Sequence, residues 1–125
     1  MGVRTPEHTV FAAQSIGNGA AEVIGSAVNI RGAGKITVFV TDAGSGGALT
    51  MKNFIDPDPT ASAPTAVSGL HEALPAVTAI VDGATTCYDV PATGEWLLLE
   101  GQHATADVNA TVEVVVIFET GAGEY

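Results

Sequence analysis

Basic residues are scarce. Arg4, Arg31, Lys35 and Lys52 stand against fourteen acidic residues, a formal net charge of −10. Binding to a phosphate backbone draws its affinity from Lys and Arg, so no direct nucleic-acid partner is expected, and anionic membrane surfaces are disfavoured for the same reason. Cys87 is the single cysteine, which excludes an intrachain disulfide. Between Thr86 and Tyr88 it reads as a buried, inert strand thiol, without the base or electropositive setting a catalytic thiolate needs. Aromatic residues are 6% of the chain, and Trp96, Tyr88 and Tyr125 are too few for a convincing sugar-stacking platform. No stretch approaches the ~20 apolar residues of a membrane span, and the opening MGVRTPEHTVFAAQ has no signal-peptide core, so no membrane partner and a cytoplasmic site of synthesis are expected.

What is present is a globular composition built from small apolar residues. Of 125 residues, 46% are hydrophobic, most of them Ala and Val, and fifteen Gly and six Pro punctuate the chain. A chain of this length buries roughly two-thirds of its unfolded surface as one domain. Frequent turn residues between short Val-rich runs exclude long helices and favour many short strands.

Thr9 to Ile16 and Glu22 to Ile30 read as strands joined in a hairpin by Gly17-Asn18-Gly19. Lys35 to Thr41 alternates Ile36, Val38 and Val40 with polar residues, the period of a half-buried strand. Ala48 to Ile55 resumes after a glycine-rich loop and is expected to pair with it. Asp56 to Pro64 holds three prolines and must be a loop. Ala66 to Leu74 suits a short helix or an irregular strand equally. Ala76 to Val81, Thr85 to Val90 and Glu95 to Glu100 follow, with Asp82-Gly83 suggesting a second hairpin. Ala110 to Glu119 closes the series with Val112, Val114, Val116 and Phe118 on one face. Seven to eight short strands at roughly ten-residue spacing predict an all-β, single-domain β-sandwich or jelly roll. Residues 1–11 read as an N-terminal arm and 12–125 as the sandwich.

The alternation is imperfect, and the imperfection carries information. Leu97 and Leu99 oppose Trp96 and Leu98, while Val115 and Ile117 make the second face of the last strand apolar. Left in water, such faces would form a patch that soluble monomers avoid. A partner subunit meeting Leu97, Leu99, Val115 and Ile117 is the expected cover. The competing reading lets the Pro-rich loop or residues 66–74 fold over that surface within one molecule.

Catalytic chemistry finds little support. His8, His71 and His103 are far apart and lack metal-ligand spacing, so no metal or other cofactor is expected. His71-Glu72 works as an acid/base pair only on a helix, since neighbours on a strand point to opposite faces. Asp56 and Asp58 lack the rest of an EF-hand and read as a solvated turn. Gly44, Gly46 and Gly47 lack the Lys-Ser/Thr of a phosphate loop, and no serine sits in a nucleophile elbow. No enzyme is expected.

The stretches Gly32 to Val40, Leu70 to Ala79 and Val90 to Leu97, with the closing Val-rich strand, resemble the small β-sandwich proteins of tailed-bacteriophage virions, particularly capsid decoration or cement proteins. That resemblance implies a homo-oligomer, a trimer, seated on the major capsid protein at the outside of the virion after assembly in the host cytoplasm. The N-terminal arm with Arg4, Val10 and Phe11 is the expected capsid contact. A tail, neck or head-fibre component, or a carbohydrate-binding module, is the alternative.

Overall fold

The computed structural model describes residues 7–17, 19–43, 49–58, 60–103 and 108–118. Alternating apolar residues and turn chemistry produce eight strands among them: β1 Glu7–Ile16, β2 Glu22–Asn29, β3 Ala33–Asp42, β4 Leu49–Asp56, β5 His71–Ile80, β6 Thr85–Val90, β7 Trp96–His103 and β8 Val108–Phe118. They form two four-stranded sheets, ordered β1-β8-β3-β6 and β2-β7-β4-β5, and every paired neighbour runs antiparallel. The pairs β1·β8, β2·β7, β3·β6 and β4·β5 are nested, as in one long hairpin rolled up on itself. That is the jelly-roll form of the sandwich.

The topology corrects the local pairings drawn from turn signals. No hairpin joins β1 to β2, because β1 pairs with β8 and β2 with β7. β4 lies in the other sheet from β3, and the Asp82-Gly83 turn carries the chain from β5 in one sheet to β6 in the other. Among the eight strands, only β4 and β5 are both consecutive in the chain and adjacent in a sheet. The ambiguous 66–74 segment divides: bends and turns occupy 65–69, and β5 begins at His71. β5 carries Pro75 at a sheet edge, where a missing backbone donor is tolerated. Of the expected arm, Glu7 to Phe11 belong to β1 and pair with β8; the earlier residues lie outside the described ones.

The core lies between the sheets. Ile36, Val38 and Val40 of β3 and Val112, Val114 and Val116 of β8 are fully buried on one side. Leu49 and Met51 of β4 and Leu97 and Leu99 of β7 face them from the other. Burial of such side chains at about 25 cal/mol per Å² is the main driving force for the fold. A short polar chain also links the layers: the Tyr88 hydroxyl on β6 donates to Asn53 Oδ1 on β4 (3.0 Å), and Asn53 Nδ2 donates to the Pro75 carbonyl (3.3 Å). Asn53 is fully buried, so these bonds satisfy an amide that would otherwise cost the fold free energy. Burial pushes the Tyr88 phenol well above its ordinary pKa.

Two glycines shape one long side of the sandwich and one turn. Gly25 in β2 has φ +61°, and a Cβ there would fall within the Phe11 ring. The Gln14 side chain closes the same gap, accepting from Gly25 N (3.0 Å) and donating to the Val23 carbonyl (2.9 Å). Facing edges of the two sheets are thus stitched by one amide in place of a strand ladder. At Gly94 a Cβ would meet Ile55 and the Asp56 carbonyl, so only glycine fits the turn into β7.

Candidate functional site

The outward faces of the two sheets differ in how they are finished, and the difference locates the candidate site. On β7, Leu97, Leu99, Gly101 and His103 point inward, which turns Trp96, Leu98 and Glu100 outward. Leu98 nevertheless has no exposed surface. Over this sheet lies the 57–70 segment that joins β4 to β5: Trp96 Nε1 donates to the Ala61 carbonyl (3.2 Å), and Ala61, Pro64, Val67 and Leu70 are half-buried. Turns stiffen the segment, with Thr60 N and Oγ1 both donating to Asp58 Oδ1 (2.9 and 2.8 Å). Those two bonds, the backbone one first, hold the Asp58 carboxyl below its ordinary pKa. Asp56 Oδ1 likewise accepts from Asp58 N (3.0 Å), so the two carboxylates serve turns.

The cover for β7 therefore comes from the same chain, and two of the four residues expected at a subunit contact are corrected. Leu97 and Leu99 are 0% and 1% exposed, core residues with no surface to offer a neighbour. Val115 and Ile117 do lie outward on β8, half-buried. Cys87, expected inside, is exposed. Its strand alternates about Tyr88 and Val90, which face the core, so Cys87 takes the outer side.

The outer face of the β1-β8-β3-β6 sheet is set row by row by strand register. One row runs His8, Val115, Thr37, Asp89; the next runs Val10, Glu113, Phe39, Cys87. Ile117 with Lys35 flanks them on one side, and Thr111, Thr41 and Thr85 on the other. Val10, Phe39, Val115 and Ile117 thus make an apolar strip, and Val10 is 52% exposed. The polar groups beside it are matched within the face. His8 Nε2 lies 2.9 Å from Glu113 Oε2, Lys35 Nζ 4.0 Å from Asp89 Oδ2, Thr37 Oγ1 donates to Asp89 (2.8 Å), and the Thr41 and Thr85 hydroxyls share a 2.7 Å bond. Each anionic side chain in these rows has a partner on the same face, Asp89 with Lys35 and Glu113 with His8, in a chain whose net charge is −10.

The remaining candidates are dispersed. Arg4 lies outside the described residues, as do Gly44, Gly46 and Gly47; Phe11 packs inward against the core; Val10 belongs to the open face. His8, His71 and His103 sit on β1, β5 and β7, and no described group of three or more His, Cys, Asp or Glu could hold a metal ion. His71 and Glu72 are strand neighbours, opposite Ile55 and Phe54 of β4, and line a pocket of ≈ 170 Å³ with Pro57, Ala73 and Thr93. Sequence reasoning missed Phe39 and Lys35 as members of the outward face. The period-2 pattern that put Ile36, Val38 and Val40 inward carried that signal.

No family model matches the chain, and no curated protein matches it. Solved structures that share its fold include two of known origin. One is a Bacillus endospore appendage protein, of a family that forms disulfide-linked pili: TM-score 0.54, 12% identity, covering 93% of this chain and 88% of that one. The other is the SPBc2 prophage-derived protein YomS: TM-score 0.50, 14% identity, covering 92% of this chain and 98% of that one. At such identities the likeness is one of fold.

Proposed function

We propose that the chain is a non-catalytic structural subunit of a phage virion, a decoration or cement protein that binds the outer surface of the head and stabilises it. The observation that carries this reading is the finished but uncovered outer face of the β1-β8-β3-β6 sheet, an apolar strip among charges already matched to one another. A face of this kind can be dried against a protein surface without stranding a charge. Jelly-roll likeness to a pilus-forming protein and to a prophage-derived protein is consistent with the same role.

The mechanism is linkage. A protein that binds only the expanded shell adds its binding free energy to that state, repeated at every site. Val115 and Ile117 take part in the contact between copies, and the shell contact falls to the N-terminal stretch carrying Arg4. The family resemblance implies trimers; the pair inferred below uses the same face and is the competing stoichiometry. The test is to add purified protein to heads that lack it. Saturable binding and a raised shell melting temperature support the reading; heads that neither bind it nor gain stability refute it.

The pilus-forming neighbour favours one second reading, a subunit of a homopolymeric fibre or tail component. Electron microscopy of concentrated protein separates the two. Filaments formed without any shell support the fibre, and particles that order only on heads support decoration. For a carbohydrate-binding role, Trp96 is half-buried and its Nε1 is already bonded to the Ala61 carbonyl, which weakens that reading.

A further inference from the structure

We infer that the open face of the β1-β8-β3-β6 sheet takes a second copy of this chain, sheet against sheet, about a two-fold axis running along the seam between β8 and β3. The inference rests on the assembly role proposed above and names its first partner.

Charge selects that partner. Two copies that each carry −10 repel wherever their acidic surfaces meet. On this face the repulsion is small, because Lys35 pairs with Asp89 and Glu113 is bonded to His8, so far less negative charge is presented here than over the rest of the chain. The arrangement is also complementary to itself. A two-fold axis along the β8/β3 seam lays β1 of each copy over β6 of the other, so the ends of each row exchange partners. His8 then stands over Asp89 and Val10 over Cys87 at the edges, while across the seam Val115 meets Thr37, Ile117 meets the Lys35 stem and Phe39 meets Glu113, each contact twice in the pair. Isologous contacts require this self-matching.

Size sets the strength. Four strands spaced about 4.8 Å apart and four outward residues deep give a face of roughly 500 Å² per copy, or about 1,000 Å² for the pair, the lower bound for a specific interface. The other sheet offers no equivalent at its centre, since its outward Leu98 has no exposed surface and Trp96 is bonded to the Ala61 carbonyl. The pair is therefore weak to moderate, and it dissociates on dilution through the micromolar range.

The experiment measures the mass of the full chain by sedimentation equilibrium over that range, for the wild type, Val115→Lys and Val10→Cys. Position 115 points outward, so the lysine variant keeps its fold, as a melting curve verifies. The expected results are a wild-type mass rising to twice the protomer and at least a tenfold weaker pair for Val115→Lys. Val10→Cys supplies an independent geometric reading. Within one protomer, positions 10 and 87 lie at opposite edges of the sheet, three strand spacings or about 14 Å apart, too far for a disulfide. Mild copper–phenanthroline oxidation should link Val10→Cys to Cys87 of the second copy as a reducible dimer. The wild type, whose two Cys87 residues lie at opposite edges of the pair, should stay unlinked. A monomer at every concentration, a trimer, a Val115→Lys mass like the wild type's, or no 10–87 linkage overturns the inference. Head binding is scored separately: heads that bind a monomer or trimer leave the proposed function standing, and a pair that ignores heads removes only that function.

Discussion

Single residues decide whether a polar group strengthens or weakens this core. Tyr88 donates its hydroxyl to fully buried Asn53, so Tyr88→Phe should leave the amide oxygen unpaired and cost about 1 to 3 kcal/mol in urea unfolding. Because burial raises the Tyr88 pKa in the folded state, its contribution is fully present below the unfolded value of about 10 and is lost as pH rises beyond it. Wild-type stability should therefore fall above that pH, and Tyr88→Phe should flatten the fall, which unfolding curves between neutral and strongly alkaline pH will show. Gly25 makes a second residue-scale case. Gly25→Ala combines a left-handed backbone with a Cβ driven into the Phe11 ring, so a loss of about 2 kcal/mol or more in the same assay is expected. Neither cost was legible beforehand: Asn53 looked like an ordinary strand residue, and a glycine inside a strand carries no label for what approaches it.

Elements differ in which of their faces matter. Leu97 and Val115 were grouped together in the sequence because both sit in runs apolar on alternate and intervening positions. Tertiary packing separates them: Leu97→Ala should cost about 2 to 5 kcal/mol of stability, whereas Val115→Thr, on the open face, should stay within about 0.5 kcal/mol and act on association. Chemical denaturation of the dilute protein distinguishes the two. The 57–70 segment is the element that sequence reading left open between loop and cover. The bond from Trp96 to Ala61 ties it to β7, so Trp96→Phe, which removes the donor and keeps an aromatic ring, should raise the rate of protease cleavage within 57–70 several-fold while the strands stay protected. Cleavage unchanged from the wild type would show that apolar packing alone holds the segment.

For the whole molecule, charge and topology act together. Copies bearing −10 approach one another against a long-range repulsion that salt screens, so raising ionic strength from about 0.02 to 0.2 M should tighten self-association through the open face. Measured affinity that weakens with salt would instead mark an interface held by charge. Composition and period were enough to establish an all-β sandwich and the presence of apolar residues on both sides of β7 and β8. Those properties depend on residue type and spacing along the chain, which the sequence states directly. The partners of each strand were decided only by tertiary structure. A turn such as Gly17 to Gly19 or Asp82-Gly83 reverses the chain equally well within a sheet or across to the other, and the energy that chooses comes from closing one core between β1·β8 at the ends and β4·β5 at the middle. For the same reason, whether an apolar residue such as Leu98 or Ile117 faces a neighbour or its own chain rested on where a distant segment came to lie, and no local pattern records that.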